Sequence, residues 1–214
     1  MKANKEGTME ATGAKSNRYR GGARRVDALT PRQAASVLTY LRGKGNARNV
    51  LLWALGVTTG LRVSDLLALC WGDFLDAAGN LAERITVKET KTGKLRGVAV
   101  LSAAREALAA YAVAYRPERC DLLFPGRDGG PLSREQARRL VKSWCEACNL
   151  RGDFGTHTMR KAFCTAAYRN SGGDPVATAR VTGHSNPAQL LHYIGESTRT
   201  EREIVAGMDK AFGA

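Results

Sequence analysis

The chain has 214 residues, of which 43% are hydrophobic and 25% charged, so it can bury a substantial core and is not a disordered protein. Its 33 Lys and Arg outnumber its 20 Asp and Glu, for a net charge of +13, which favours a polyanionic partner, nucleic acid before an acidic membrane surface. No apolar run approaches the roughly 20 residues that span a bilayer, and the basic N-terminus lacks the apolar segment of a secretory signal. The five cysteines fit reduced thiols in a cytoplasm better than a disulfide framework.

Residues 1–28 are predicted to form a flexible basic arm. The first 25 residues hold seven Lys and Arg against two Glu, and small or polar residues fill the gaps. Such a segment has little to anchor in a core and can lie along DNA phosphates. Arg24 and Arg25 are its candidate DNA contacts, and a tail without function is the alternative.

From Leu29 onward the sequence predicts mostly helices. The segment 30–33 combines an N-cap Thr, a Pro and a Gln that completes a capping box, and glycines 43 and 45 end that helix. Residues 50–57 are apolar nearly all round, which predicts a buried helix. A short helix is expected over about 64–69.

The middle of the chain predicts a β-hairpin, and helices follow it. Strand-like residues at 85–87 and 98–100 flank the basic turn 91–94. Further helix starts are marked by Ser or by Asp-Pro and Asn-Pro pairs, at Ser102, Ser133, Asp174 and Asn186, and a last helix is predicted over 200–212. The predicted fold is therefore mainly α with a small antiparallel β-sheet, an α+β domain.

The helix after Ser133 carries basic residues at every fourth position. Arg134, Arg138 and Lys142 therefore share one face, and we predict that this face contacts DNA; a merely solvated basic face is the alternative. The same helix contains a C-x-x-C pair, Cys145 and Cys148, which we assign to core packing because zinc would need about four ligands.

Six residues in four separate segments suggest phosphoryl transfer. They are Arg62, Lys91, His157, Arg160, His184 and Tyr193. Arginine forks match phosphate oxygens, histidines donate to those oxygens or move protons, a lysine can protonate a leaving oxygen, and a tyrosine hydroxyl can act as nucleophile. No metal or other cofactor is expected, because the arginines supply the positive charge.

Alternatives remain open for several of these residues. Arg62 could be a structural ion-pair partner of Asp65, and Lys94 could take the place of Lys91 at the hairpin turn. Tyr168 is the nearest rival to Tyr193, but it precedes the His184 segment. Lys94 is also a candidate DNA contact.

The order and spacing of these segments resemble the catalytic domain of the tyrosine recombinases, the phage integrase family. GLRVSDL resembles the first-arginine box, the KTGK turn resembles the family's β-hairpin turn with the catalytic lysine, and HTMR resembles the H-x-x-R box. TGHSNP resembles the L-G-H-S box, and a tyrosine follows nine residues after its histidine. The sequence departs from the family at Lys161-Ala162, where many members have His-Thr or His-Ser, and after Tyr193.

The resemblance implies a mechanism and an assembly. Tyr193 would form a 3′-phosphotyrosine on double-stranded DNA, Arg62 and Arg160 would hold the nonbridging oxygens with His184, His157 would transfer protons and Lys91 would protonate the leaving oxygen. Family members work as tetramers on two DNA sites, although this chain could be a monomer without DNA, and the last helix often docks on a neighbouring protomer.

The resemblance also predicts the domain organisation. Residues 29–214 would form the catalytic domain without a separate N-terminal core-binding domain, so an accessory DNA-binding protein is a possible partner. We expect a site-specific recombinase at the nucleoid in a bacterial cytoplasm, of plasmid or phage origin, with no membrane partner. The alternatives are a topoisomerase of type IB, which relaxes one duplex by the same chemistry, and a DNA-binding module without activity.

Overall fold

The computed structural model describes residues 26–195 and Met208. Within these residues it contains eight α-helices, a short 3-10 helix at Trp71–Phe74 and one two-stranded sheet. The elements are, in chain order, α1 (Pro31–Gly43), α2 (Ala47–Thr59), α3 (Val63–Leu67), β1 (Arg84–Lys88), β2 (Leu95–Ala99), α4 (Ser102–Tyr115), α5 (Arg134–Ala147), α6 (Thr156–Asn170), α7 (Pro175–Thr182) and α8 (Pro187–Ile194). The predicted α-rich fold with one small antiparallel sheet is confirmed.

Local capping explains most helix starts. The capping boxes predicted at the starts of α1 and α5 are both formed, by Thr30 with Gln33 and by Ser133 with Gln136. These side chains satisfy backbone N–H groups that have no partner within the helix. The prediction for α4 was wrong in detail: Ser102 is its first residue, and the preceding Leu101 makes no side-chain cap bond.

Helix α2 lies at the centre of the main core. It packs against α1, α4 and α6, which explains why its residues are apolar on nearly every side. The Trp53 indole is fully buried, donates a hydrogen bond to the Ala34 carbonyl at 2.9 Å and meets Trp144 edge-to-face. Cys145 lies in the same core, so the core assignment for this cysteine is confirmed.

The β-hairpin packs one face on this core. Strands β1 and β2 are antiparallel and pair Ile85 with Val98, and both side chains are buried with Val87. Alternating burial along β1 is the pattern of a half-buried strand. The turn between the strands is exposed over residues 91–94, which include Lys91 and Lys94.

A second, smaller cluster holds the C-terminal part of the described chain. Helices α6, α7 and α8 enclose Cys164, Ala179, Leu190, Leu191 and Ile194, with Tyr193 packed against them. Helix α7 ends at Gly183, which has the left-handed conformation that favours glycine. This cluster fixes α8, and with it the position of Tyr193.

The described chain begins with two residues that are bonded to the domain. The Lys161 amine donates to the Val26 carbonyl at 3.1 Å, and the Asp27 and Asp153 segments exchange hydrogen bonds. Arg24, Arg25 and the rest of 1–25 lie outside the described residues, so the arm predicted over 1–28 stays a prediction. The helix predicted over 200–212 also lies outside them, apart from Met208. Across the described ranges, no helix has the length and apolar character needed to cross a membrane.

Candidate active site

The first arginine, Arg62, is held at a break between two helices. Gly60 ends α2 in the left-handed conformation, and Arg62 is the extended N-cap of α3. Its side chain is 24% exposed, and Nη1 forms an ion pair with Glu89 Oε2 at 2.9 Å without hydrogen-bond geometry. Asp65, the suggested alternative partner, instead accepts the Thr90 N–H at 2.9 Å.

The second arginine, Arg160, is buried and fixed by backbone carbonyls. It lies on α6 and is 4% exposed. Its Nη1 donates to the Gly60 carbonyl, and its Nη2 donates to the Thr182 carbonyl at 3.1 Å. The guanidinium therefore joins the end of α2 to the end of α7, and its fork is oriented before any ligand binds.

His184 contacts this guanidinium. Arg160 Nη2 lies 3.4 Å from His184 Nε2, while His184 Nδ1 lies 2.7 Å from the Thr182 hydroxyl. That hydroxyl donates to the Thr178 carbonyl at 2.8 Å, so it accepts a proton from Nδ1, and the Nε2 lone pair faces Arg160. Burial, and then the neighbouring guanidiniums led by Arg160, lower the pKa of His184 to about 4, so the ring is neutral at pH 7.

Tyr193 lies near both histidines. Its hydroxyl donates to the His157 carbonyl at 3.2 Å, and its ring centre is 6.5 Å from that of His157 and 5.7 Å from that of His184. Burial raises the pKa of Tyr193 far above its usual value although Arg160 and Arg62 act in the opposite direction. Burial, with the same two arginines, lowers the pKa of His157. The site thus holds a protonated phenol beside a neutral imidazole.

Five of the six predicted residues are therefore linked by contacts or mutual electrostatics, and Lys91 is not. Lys91 is exposed in the hairpin turn and makes no hydrogen bond or ion pair with the described part of the chain. Lys94, its alternative, is exposed in the same turn, where its carbonyl accepts the Glu89 N–H at 2.9 Å.

Two residues of the site, buried Glu89 and half-buried Arg96, were missed by the sequence analysis. Glu89 contacts Arg62 and also lies 3.8 Å from Arg96. Arg96 donates to the carbonyls of Thr59 and Thr182 at 2.7 and 2.8 Å. Burial acts to raise the pKa of Glu89, but the Thr92 hydroxyl and Arg62 outweigh it and lower the pKa below its usual value. Glu89 therefore stays ionised among the arginines.

The predicted DNA-binding face of α5 is partly occupied by ion pairs of its own. Arg138 makes two hydrogen bonds of 2.9 Å to Glu135, and Lys142 lies 3.7 Å from Glu146. Arg134 forms no ion pair within the described residues. The assignment of these side chains to DNA stays a prediction.

Acid is expected to weaken the fold through His184. Its pKa is about 4 in the folded chain and about 6.5 when unfolded, so the unfolded chain binds more protons between these values and stability falls as pH falls. Between pH 7 and 5 we expect the Tm of the parent to drop by about 2–5 °C more than that of His184→Gln, which cannot take up this proton. Thermal melts at constant ionic strength measure this difference. Equal changes of Tm with pH in the parent and the variant would contradict the lowered pKa of His184.

Comparison with known proteins agrees with this arrangement. Residues 27–199 match the phage integrase family. The probable integrase/recombinase YoeC of Bacillus subtilis is 30% identical over 176 residues, which cover 80% of this chain and 92% of that protein. The tyrosine recombinase XerD of Corynebacterium glutamicum is 31% identical over 153 residues, which cover 70% of this chain but 48% of that protein. This chain thus spans about half the length of that XerD.

Solved structures agree on the fold. The XerH site-specific recombinase bound to its difH substrate before cleavage superposes with a TM-score of 0.68 at 23% identity, covering 92% of this chain and 58% of that one. A lambda integrase dimer bound to a core site gives 0.63 at 18% identity, covering 86% and 52%. The predicted family and recombinase class are confirmed: the chain belongs to the phage integrase family, the tyrosine recombinases.

Proposed function

We propose that this chain cuts and rejoins double-stranded DNA at specific sites through a covalent 3′-phosphotyrosine at Tyr193. The observation that carries the proposal is the position of the Tyr193 phenol, whose ring centre is 6.5 Å from that of His157 and 5.7 Å from that of His184, the histidine that contacts Arg160. A nucleophile, a proton acceptor and a phosphate-binding fork are thus grouped in one partly buried place.

The cleavage step follows from these groups. The phenolic oxygen of Tyr193 attacks the phosphorus, a P–O bond to tyrosine forms, and the bond from phosphorus to the 5′-oxygen breaks. His157 takes the phenol proton, since its lowered pKa keeps the ring neutral at pH 7. Lys91 gives a proton to the departing 5′-oxygen, which leaves as a hydroxyl. The reverse reaction, with a 5′-hydroxyl from a partner strand, restores a phosphodiester without hydrolysis.

The two guanidiniums are suited to stabilise the transition state. Negative charge grows on the nonbridging oxygens during attack, and fixed donors in a partly dry site stabilise it without having to reorganise. Arg160 is already oriented by the Gly60 and Thr182 carbonyls. Arg62 is held beside the pocket by the ion pair of its Nη1 with Glu89 at 2.9 Å, and its side chain is 24% exposed, so the rest of its guanidinium would face the phosphate.

The assembly extends the same proposal. Exchange between two duplexes needs four active sites, so we infer a tetramer of this chain on two DNA sites, with a monomer in the absence of DNA. The relatives support a DNA partner: XerH was solved on difH and lambda integrase on a core site. Residues 200–212 would dock on a neighbouring protomer.

DNA contacts outside the active site are assigned to basic residues. On α5 they are Arg134, Arg138 and Lys142, of which Arg134 is the one without an ion pair in the described chain. Lys94 of the hairpin turn would contact the backbone near the cleaved phosphate. Arg24 and Arg25 would hold the duplex from the basic arm. An accessory DNA-binding protein would complete a clamp around the DNA, at the nucleoid of a bacterial cytoplasm.

A trapping experiment tests the function. The protein is incubated with nicked suicide DNA, from which the short strand 3′ of the cleaved phosphate is lost, so that the covalent complex accumulates. We expect an adduct that resists SDS and maps to a peptide containing Tyr193. An adduct together with relaxation of plasmid DNA, without strand exchange, would instead identify a topoisomerase of type IB. No adduct on any DNA that the protein binds would indicate a DNA-binding module.

A further inference from the structure

Glu89 lies at a junction between the first arginine and the hairpin turn. Its side chain is 6% exposed, and its Oε2 lies 2.9 Å from two groups, Nη1 of Arg62 and the hydroxyl of Thr92. The two contacts reach different elements, because Arg62 is the N-cap of α3 and Thr92 belongs to the turn after β1. One carboxylate oxygen therefore bridges the phosphate pocket and the turn.

The backbone of Glu89 closes the same turn. Its carbonyl accepts the Gly93 N–H at 2.8 Å, and its N–H donates to the Lys94 carbonyl at 2.9 Å. Lys91 lies inside this closed loop, and its exposed side chain makes no hydrogen bond or ion pair with the described chain. The path of the turn, and so the origin of the Lys91 side chain, is set by bonds that converge on Glu89.

Arg96 fixes this junction by hydrogen bonds to two backbone carbonyls. Its guanidinium holds the carbonyls of Thr59 and Thr182 and lies 3.8 Å from Glu89 Oε1. A Cβ on Gly183 would lie 2.7 Å from Arg96 Nη1 and 3.0 Å from Glu89 Oε1, so this close approach depends on glycine. A buried carboxylate with two arginine neighbours cannot shift cheaply, since moving it would leave charge unpaired.

We propose that Glu89 is a positioning residue that sets the Lys91 turn against the phosphate pocket, with Arg62 and Arg96 as its anchors. The inference rests on the proposed function, in which Lys91 protonates the leaving 5′-oxygen. Because its side chain is 6% exposed, Glu89 would act through the turn rather than by contact with DNA or the reacting atoms. A lysine on a loose turn would reach the leaving oxygen in a small fraction of complexes, and a displacement of about 1 Å costs up to about 100-fold in rate.

The test uses a leaving group that needs no acid. In one suicide DNA the bridging 5′-oxygen is replaced by sulfur, which leaves as a thiolate because a thiol is a far stronger acid than an alcohol. On ordinary DNA we expect Glu89→Gln to slow single-turnover adduct formation by about 10-fold to 100-fold. On the sulfur DNA we expect Glu89→Gln and Lys91→Ala to come within about 3-fold of the parent. In a Lys91→Ala background, Glu89→Gln should cost under about 3-fold on ordinary DNA.

Controls separate positioning from stability. Glu83→Gln removes a carboxylate next to the same hairpin, but its side chain is 83% exposed and pairs with Arg105 at the surface, so its rate should equal that of the parent on both DNAs. Thermal melts show whether Glu89→Gln is folded, and Glu89→Asp, which keeps the charge on a shorter stem, replaces it if it is not. Equal losses on both DNAs, or no loss on ordinary DNA, would overturn the proposal. If the parent forms no adduct on either DNA, the proposed function itself fails.

Discussion

Tyr193→Phe is expected to abolish the covalent DNA complex, a loss of at least about 10⁴-fold in single-turnover rate. The change removes the phenolic oxygen and leaves the ring, which packs against the cluster around Leu190 and Ile194. The lost hydrogen bond to the His157 carbonyl should cost about 1 kcal/mol of unfolding free energy. The variant should therefore be folded and bind DNA as the parent does, and denaturing gels of suicide-DNA reactions measure the missing adduct.

Tyr168→Phe is the matched control for this loss. Tyr168 lies on α6 and packs against the same cluster as Tyr193, so both variants remove one hydroxyl from similar surroundings. We expect Tyr168→Phe to form adduct at the rate of the parent. Adduct in Tyr193→Phe, or its loss in Tyr168→Phe, would assign the nucleophile elsewhere and contradict the proposed site.

Features of local origin were predictable from the sequence. The capping boxes at Thr30 and Ser133 depend on side chains three residues apart, and both formed. The H-x-x-R spacing places His157 and Arg160 one helical turn apart on one face, as α6 shows. Tyr193 was found because its distance from His184 matches the family. These signals lie within short stretches of chain, where geometry is set by neighbours in sequence.

The supporting contacts of the site could not be predicted. Glu89 follows β1 at the start of a polar turn, where a charged residue is usually solvated. In the fold it is buried beside Arg62, which comes from a separate segment, and Arg96, which comes from the paired strand β2. The Thr182 carbonyl accepts from two arginines, and a carbonyl leaves no mark in the sequence. The sequence offered one signal for Glu89, an acidic residue that lies between the first-arginine box and the basic turn, and this signal is weak.

On α5 the sequence predicted which basic residues share a face, but not the ion pairs that they form. Spacing placed Arg134, Arg138 and Lys142 on one face correctly, but the acidic residues Glu135 and Glu146 on the same helix pair with two of them. Such exposed pairs contribute little to stability, because water screens them. Phosphates can therefore compete for these side chains, and the ion pairs do not decide against a DNA role.

Arg160→Lys is expected to reduce single-turnover adduct formation by at least about 10³-fold. The guanidinium reaches the Gly60 carbonyl with Nη1 and the Thr182 carbonyl with Nη2, and a single ammonium cannot span both and still face His184. The fork that would hold two phosphate oxygens is lost, although the charge is kept. Losing one charged hydrogen bond in a buried place should also lower the unfolding free energy by about 2–3 kcal/mol, which urea titrations measure.

Arg169→Lys separates this effect from a general loss of arginine on α6. Arg169 is exposed in the last turn of the same helix, so the rate and the unfolding free energy of this variant should match the parent. The rate loss in Arg160→Lys should persist in reactions where urea titration shows the variant to be folded, because the missing fork is a property of the native site. If the cleavage rate of Arg160→Lys is within about 10-fold of that of the parent, the role of Arg160 is structural. The phosphate pocket must then be formed by other groups.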